Sequence, residues 1–209
     1  MKKNMKKFAP LGLLVIVIIA VLAIVLSDPA FFLTPYQKIY AGGIRNFRAD
    51  LNEAAKTPVY PNENAIKNVL LNPEVHKIHI AYFSNETENS FYFATSFEIA
   101  LKIGLVYKNF MGVETQTIDD EDGSTCMIFY PNRQVRCFRS IAINSTDELN
   151  PSFTDPVILM LGPSHANQTA VTVYNFMIIL EGKSFEEVDR VYTDLDLAVD
   201  KMLLVLMES

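Results

Sequence analysis

Apolar positions along the chain fall into three kinds of spacing: an unbroken run, recurrence every three or four residues, and alternation. The unbroken run comes first. Phe8 to Leu26 is uncharged over 19 residues, with Lys2, Lys3, Lys6 and Lys7 ahead of it. A helix of that length covers about 28 Å, close to the ~30 Å hydrocarbon core of a bilayer. Pro10 falls in its first turn, where a missing N–H costs little. Lysines on one flank predict a cytoplasmic N-terminus, one span, and an exported remainder from about Ser27. A cleaved signal peptide, cut at Val25-Leu26-Ser27, calls for a shorter apolar core of roughly 7–15 residues. A pilin-type leader cut near Lys7-Phe8-Ala9 is the third alternative. All three export the bulk of the chain.

Spacings of three and four follow. Thr34-Pro35-Tyr36-Gln37 reads as N-cap, first-turn proline and capping-box partner. Tyr36, Tyr40, Ile44, Phe47, Leu51 and Ala54 then predict a juxtamembrane helix over Pro35–Lys56, with Gly42-Gly43 as a soft point. Its apolar stripe must be buried, against its own domain or against a second copy. A short helix follows over Glu63–Leu71, closed by Asn72-Pro73. Phe91–Phe110 alternates like a strand, but its length without a turn signal predicts a largely buried helix. Strands are predicted at Val75–Phe83, Val113–Ile118, the two arms around Pro131-Asn132, Pro156–Leu161, and a hairpin of Ala170–Tyr174 and Met177–Glu181 around Asn175. Asn144–Asp155 reads as a loop. A final helix, capped by Ser184 with Glu187, carries a stripe from Val188 to Leu206. The resulting organisation is a basic tail (1–7), a transmembrane helix (8–26), a connector with a juxtamembrane helix (27–57) and an exported domain (58–209). The fold class is α/β or α+β, a mixed-sheet sandwich with packed helices and a disulfide-bridged β-hairpin.

Charge and cysteine usage sharpen this picture. Setting aside the four N-terminal lysines leaves 14 basic against 24 acidic residues, a charge of −10, which excludes a nucleic-acid-binding surface. Pairing Tyr130 with Arg133 sets Cys126 opposite Cys137, within disulfide reach on adjacent antiparallel strands. Asn85, Asn144 and Asn167 each begin an Asn-x-Ser/Thr glycosylation pattern in a polar stretch, as suits an exported domain.

Candidate chemistry is sparse. Gly162-Pro163-Ser164-His165-Ala166 approximates a nucleophile elbow, yet the β-branched Ala170-Val171-Thr172-Val173 follows it instead of a helix, and no histidine lies beyond His165. Asp119-Asp120-Glu121-Asp122-Gly123 resembles a calcium loop, but aligning Gly123 with its glycine puts Ile118 and Phe129 at ligand positions. His76 and His79 point to opposite faces of a strand and so cannot share a metal. Asp189, Asp194, Asp196 and Asp200 read as the wet face of the last helix. No P-loop, dinucleotide fingerprint, C-x-x-C or H-E-x-x-H occurs. No catalytic, cofactor-binding or metal residue is therefore assigned.

Pro58-Val59-Tyr60-Pro61-Asn62-Glu63, the Gly162-Pro163 turn, and the Gly182-Lys183 turn before Asp194-Leu195-Asp196-Leu197-Ala198-Val199-Asp200-Lys201 give a layout that resembles single-span envelope proteins of archaea, a family with no assigned activity. The resemblance implies a location and no mechanism. Together with the anchor it leads to the expectation of a membrane-anchored, extracytoplasmic binding or scaffold domain. Its expected partners are the bilayer, through the N-terminal helix, and another envelope protein or glycan. The alternatives are an exported serine hydrolase using Ser164 with His76 or His79, and a pilin-like filament subunit.

Overall fold

A computed structural model describes residues 33–84, 89–111, 116–119, 122–130, 133–184 and 192–208. The anchor segment Phe8–Leu26, the sequon at Asn85, the Pro131-Asn132 turn and Glu187 lie outside them. Among the described residues no helix is long and apolar enough to cross a membrane.

The architecture is a mixed α/β fold on an eight-stranded sheet. In chain order the elements are β1 (Gln37–Tyr40), β2 (Gly43–Asn46), α1 (Leu51–Ala54), β3 (Val59–Tyr60), α2 (Glu63–Leu70), β4 (Lys77–Phe83), α3 (Asn89–Met111), β5 (Gln116–Asp119), β6 (Thr125–Phe129), β7 (Gln134–Ile143), β8 (Val157–Leu161), β9 (Ala170–Tyr174), β10 (Met177–Glu181) and α4 (Asp194–Met207). The sheet runs β3-β9-β10-β8-β4-β7-β6-β5. β8 lies parallel to β4 and β10, and β4 parallel to β7, while β9 and the β5–β6–β7 meander run antiparallel. β8, Val-Ile-Leu-Met-Leu, is buried along nearly its whole length, as a central parallel strand must be.

The helices share one face of the sheet. Ile78 and Ile80 of β4, Ile158 and Met160 of β8, and Ile178 and Leu180 of β10 point into them. α3 lies over β4, β6 and β7, and α4 over β9 and β10. The other face is a smaller cluster of Ala81, Ile143, Val157 and Leu159, joined by Leu149 from the β7–β8 loop. That loop carries a single 3-10 turn at Thr146–Glu148. Gly182 lets the exit of β10 approach α4 closely, since a Cβ there would sit 2.3 Å from the Leu195 backbone nitrogen.

Two expectations are corrected. The juxtamembrane helix over Pro35–Lys56 is instead the β1–β2 hairpin followed by the four-residue α1. Ala41 and Gly42 both take left-handed backbone (φ 50° and 73°), the pair of values a two-residue hairpin turn of the primed kind requires. Gln37 does accept a hydrogen bond from the Thr34 backbone N–H, so the cap chemistry forms for one turn without propagating. Tyr40, Phe47, Ala49 and Ala54 are buried in the same core as the sheet, so this segment packs on its own domain.

The last helix begins at Thr193, not Ser184. The Thr193 hydroxyl and the Asp196 carboxylate form a reciprocal capping box. α4 has no wet face: every residue from Asp194 to Met207 is buried, including Asp194, Asp196 and Asp200. The reason is that α1, α2 and α3 pack around it, enclosing its four charged residues along with its apolar ones.

Candidate functional site

α3 is the most exposed of the long elements, and the face it shows to solvent is apolar. Phe93, Phe97 and Leu101 recur every fourth residue, so they stack on one side of the helix. They are 61%, 62% and 47% exposed. Beneath them a cavity of about 300 Å³ opens between α3 and strands β4, β6 and β7, with Ile80, Met127 and Phe138 in its lining. Its polar groups are few and already engaged: Ser96 Oγ donates to the Phe93 carbonyl and lies 2.9 Å from Ser140 Oγ. Gly104 keeps α3 close to β6, for a Cβ there would meet Met127 Sδ at 2.6 Å. Such a groove is shaped to receive apolar side chains.

The opposite side of α3 faces a buried ionic cluster. Asp200 Oδ2 of α4 accepts from the backbone N–H groups of Arg48 (2.9 Å) and Ala49 (2.8 Å). Its Oδ1 lies 3.8 Å from Lys102 Nζ, which also bonds Glu98 at 2.5 Å. Arg48 pairs with Glu98 and with Asp196, and donates to Thr95. Lys102 Nζ sits 4.2 Å from the Phe47 ring centroid. Burial pushes the Asp200 carboxyl up to about 7 despite the neighbouring Lys102 and the two backbone donors. Neither the α3 groove nor a second cavity beside Phe153 and Phe176 is lined by any member of this cluster. A carboxyl raised by burial is thus held apart from both of those cavities.

The residues singled out in the sequence are scattered. Cys126 and Cys137 form the disulfide, directly opposed on β6 and β7. Ser164 is exposed on a turn in which the His165 and Ala166 N–H groups both donate to the Gly162 carbonyl, and β9 follows. His165 stacks on Phe83 at 4.2 Å. Among the described residues no hydrogen bond joins Ser164 to His76 or His79. His76 precedes β4 and is exposed, whereas His79 lies within β4, where burial lowers its basicity. Asp122 pairs with Lys77 (2.5 Å) and Arg139 (4.0 Å) and accepts from the Ser124 backbone N–H; the Lys77 contact, with Ser124 after it, holds its carboxyl below the usual range. Asp120 and Glu121 lie outside the described residues, among which no three His, Cys, Asp or Glu side chains are grouped to hold a metal. Asn144 and Asn167 are both exposed.

Sequence reasoning passed over Arg48, Glu98 and Lys102. The signal for two of them was present: Glu98 and Lys102 stand one helical turn apart inside an otherwise apolar helix. Arg48 had no local signal.

Comparison with protein-family profiles, curated proteins and solved structures finds no match.

Proposed function

We propose that this chain is a membrane-anchored extracytoplasmic domain of the cell envelope that binds or scaffolds another envelope component through the α3 groove. The observation that carries the binding half is the exposed Phe93–Phe97–Leu101 stripe over an apolar cavity, since a soluble domain seldom leaves the outer face of a long helix apolar unless something covers it. The lining favours a protein partner presenting apolar side chains over a glycan, whose hydroxyls would need free polar groups. Support for the location comes from the lysine-flanked apolar run, the Cys126–Cys137 disulfide and the exposed sequons at Asn144 and Asn167.

Two measurements test the reading. Protease added to intact cells should digest the domain, and its full protection would refute the orientation. A photocrosslinker at Ala94 should join one defined envelope protein in native membranes, and Phe97→Ser should abolish that adduct without lowering the melting temperature. An adduct indifferent to Phe97 would remove the groove from the proposal.

A further inference from the structure

A cavity of about 300 Å³ lies apart from the α3 groove, where α2, the β7–β8 loop and the turn between β9 and β10 meet. The two share no lining residue. Phe153 of the loop and Phe176 of the turn stand 46% and 40% exposed. Their ring centroids are 6.3 Å apart and the ring planes are inclined at 59°, so the pair forms an open apolar wedge. Buried Val69 of α2 adds aliphatic surface beside it.

The polar lining is of one kind. Asn68 of α2, Asn72 just past its end and Asn175 at the hairpin turn supply it. No charged side chain lines the cavity, although residues 8–209 carry 14 basic and 24 acidic ones. Asn68 and Asn175 are exposed, and neither side chain is hydrogen-bonded among the described residues. Asn72 Oδ1 accepts from the Glu74 N–H at 2.9 Å, which leaves its own amide N–H groups for another partner. Amide donors and acceptors thus stand beside two ring faces, a combination that the α3 groove lacks.

From this lining we infer that the cavity is a carbohydrate site that takes a neutral pyranose unit of a glycan. The C–H face of the sugar lies against Phe153 and Phe176, and its hydroxyls pair with the asparagine amides. Each competing occupant fails on one count. An apolar side chain would cover the amides and leave them unpaired, which costs the desolvation of each. A carboxylate, phosphate or ammonium group would find no counter-charge. A sugar hydroxyl is donor and acceptor at once, as a side-chain amide is, and a pyranose carries an apolar face along with its hydroxyls. The cavity has the size of the smaller small-molecule sites, whose volumes run over ~300–1,000 Å³. This site is independent of both the α3 groove and the anchor.

The chain has no tryptophan, so Phe176→Trp places a single such fluorophore in the wedge. The full chain, in a detergent without a sugar headgroup, is titrated with neutral trisaccharides of glucose, mannose, galactose and N-acetylglucosamine, and with N-acetyl-leucinamide. The expected result is a saturable blue shift with at least one trisaccharide, at a Kd of about 1 mM or tighter. Adding Asn68→Ala, or separately Phe153→Ala, should weaken that binding at least tenfold at an unchanged melting temperature, whereas Phe97→Ser should leave it as it was. Polarisation of the same trisaccharide, fluorescently labelled, should give the chain with Phe176 intact a Kd within tenfold, and silence there overturns the site. No response to any of the four sugars overturns it as well. A response that survives both Asn68→Ala and Phe153→Ala puts the sugar elsewhere and overturns the assignment. A response to N-acetyl-leucinamide alone overturns it in favour of an apolar side chain.

Discussion

Asp200→Asn separates charge from shape at the centre of the domain. Asp200 is 1% exposed, and its carboxyl is raised from 3.8 to about 7 chiefly by burial. At ~1.4 kcal/mol per pH unit, that rise corresponds to about 4 kcal/mol of native-state cost for the ionised form. The folded protein holds this proton more tightly than the unfolded chain, so stability falls as pH climbs from about 4 to 7, and the full cost is present above 7. Asparagine stays neutral throughout. Its amide oxygen keeps the N–H donors of Arg48 and Ala49. Its amide nitrogen faces Lys102, which retains Glu98; that mismatch costs about 1 kcal/mol. Urea unfolding of the full chain in detergent, at pH 5 to 8, should therefore show wild type losing about 2–3 kcal/mol relative to the variant over that range. Subtracting the two curves removes the titrating groups that do not interact with Asp200. A difference constant within ~0.5 kcal/mol from pH 5 to 8 would refute the reasoning, because it would mean that Lys102 and the backbone donors fully offset burial.

Other substitutions probe other links. Replacing Cys126 and Cys137 together by serine should lower stability by about 3 kcal/mol, read from the urea midpoint, by freeing a short loop in the unfolded chain. Gly182→Ala should cost about 1–3 kcal/mol, because the new methyl meets the Leu195 backbone and neither side can yield cheaply. Arg136→Met should cost on the order of 1–3 kcal/mol in the same assay, since the buried guanidinium donates to the Pro73 and Val135 carbonyls and packs on the Tyr107 ring. Phe97→Ser should leave stability within ~0.5 kcal/mol, being a largely exposed position, and only the partner adduct should respond.

Where the determinants of an element are local, the sequence was legible. Asn62 caps α2, and Asn72-Pro73 follow its end, so its bounds fall within a residue of those read from the chain. The cystine register follows from counting across one turn, and Asn175 in left-handed backbone closes the β9–β10 hairpin where expected. The failures share a different origin. Tyr36, Tyr40, Ile44 and Phe47 have helical spacing, yet two four-residue strands around a tight turn generate the same intervals, and the hairpin wins because its inward face finds α3 and α4. The carboxylates of α4 looked wet because polar residues on an amphipathic helix usually are. What partners the buried Asp200 is a pair of backbone N–H groups about 150 residues earlier in the chain. The apolar groove was half visible: Phe93, Phe97 and Leu101 stand in the stretch read as a largely buried helix, but hydrophobicity alone does not say which apolar face is left uncovered.

The enclosure of α4 also bears on how the domain is made. Every strand it covers precedes it in the chain, so during synthesis the helix-facing rows of β9 and β10 exist before their lid does. Until Asp194–Met207 emerges, Val171, Ile178 and Leu180 lack that cover, and Arg48 and Ala49 wait for a carboxylate. The nascent domain therefore cannot close vectorially. It must pass through an interval as a half-covered sheet, and the latch that ends this interval is α4.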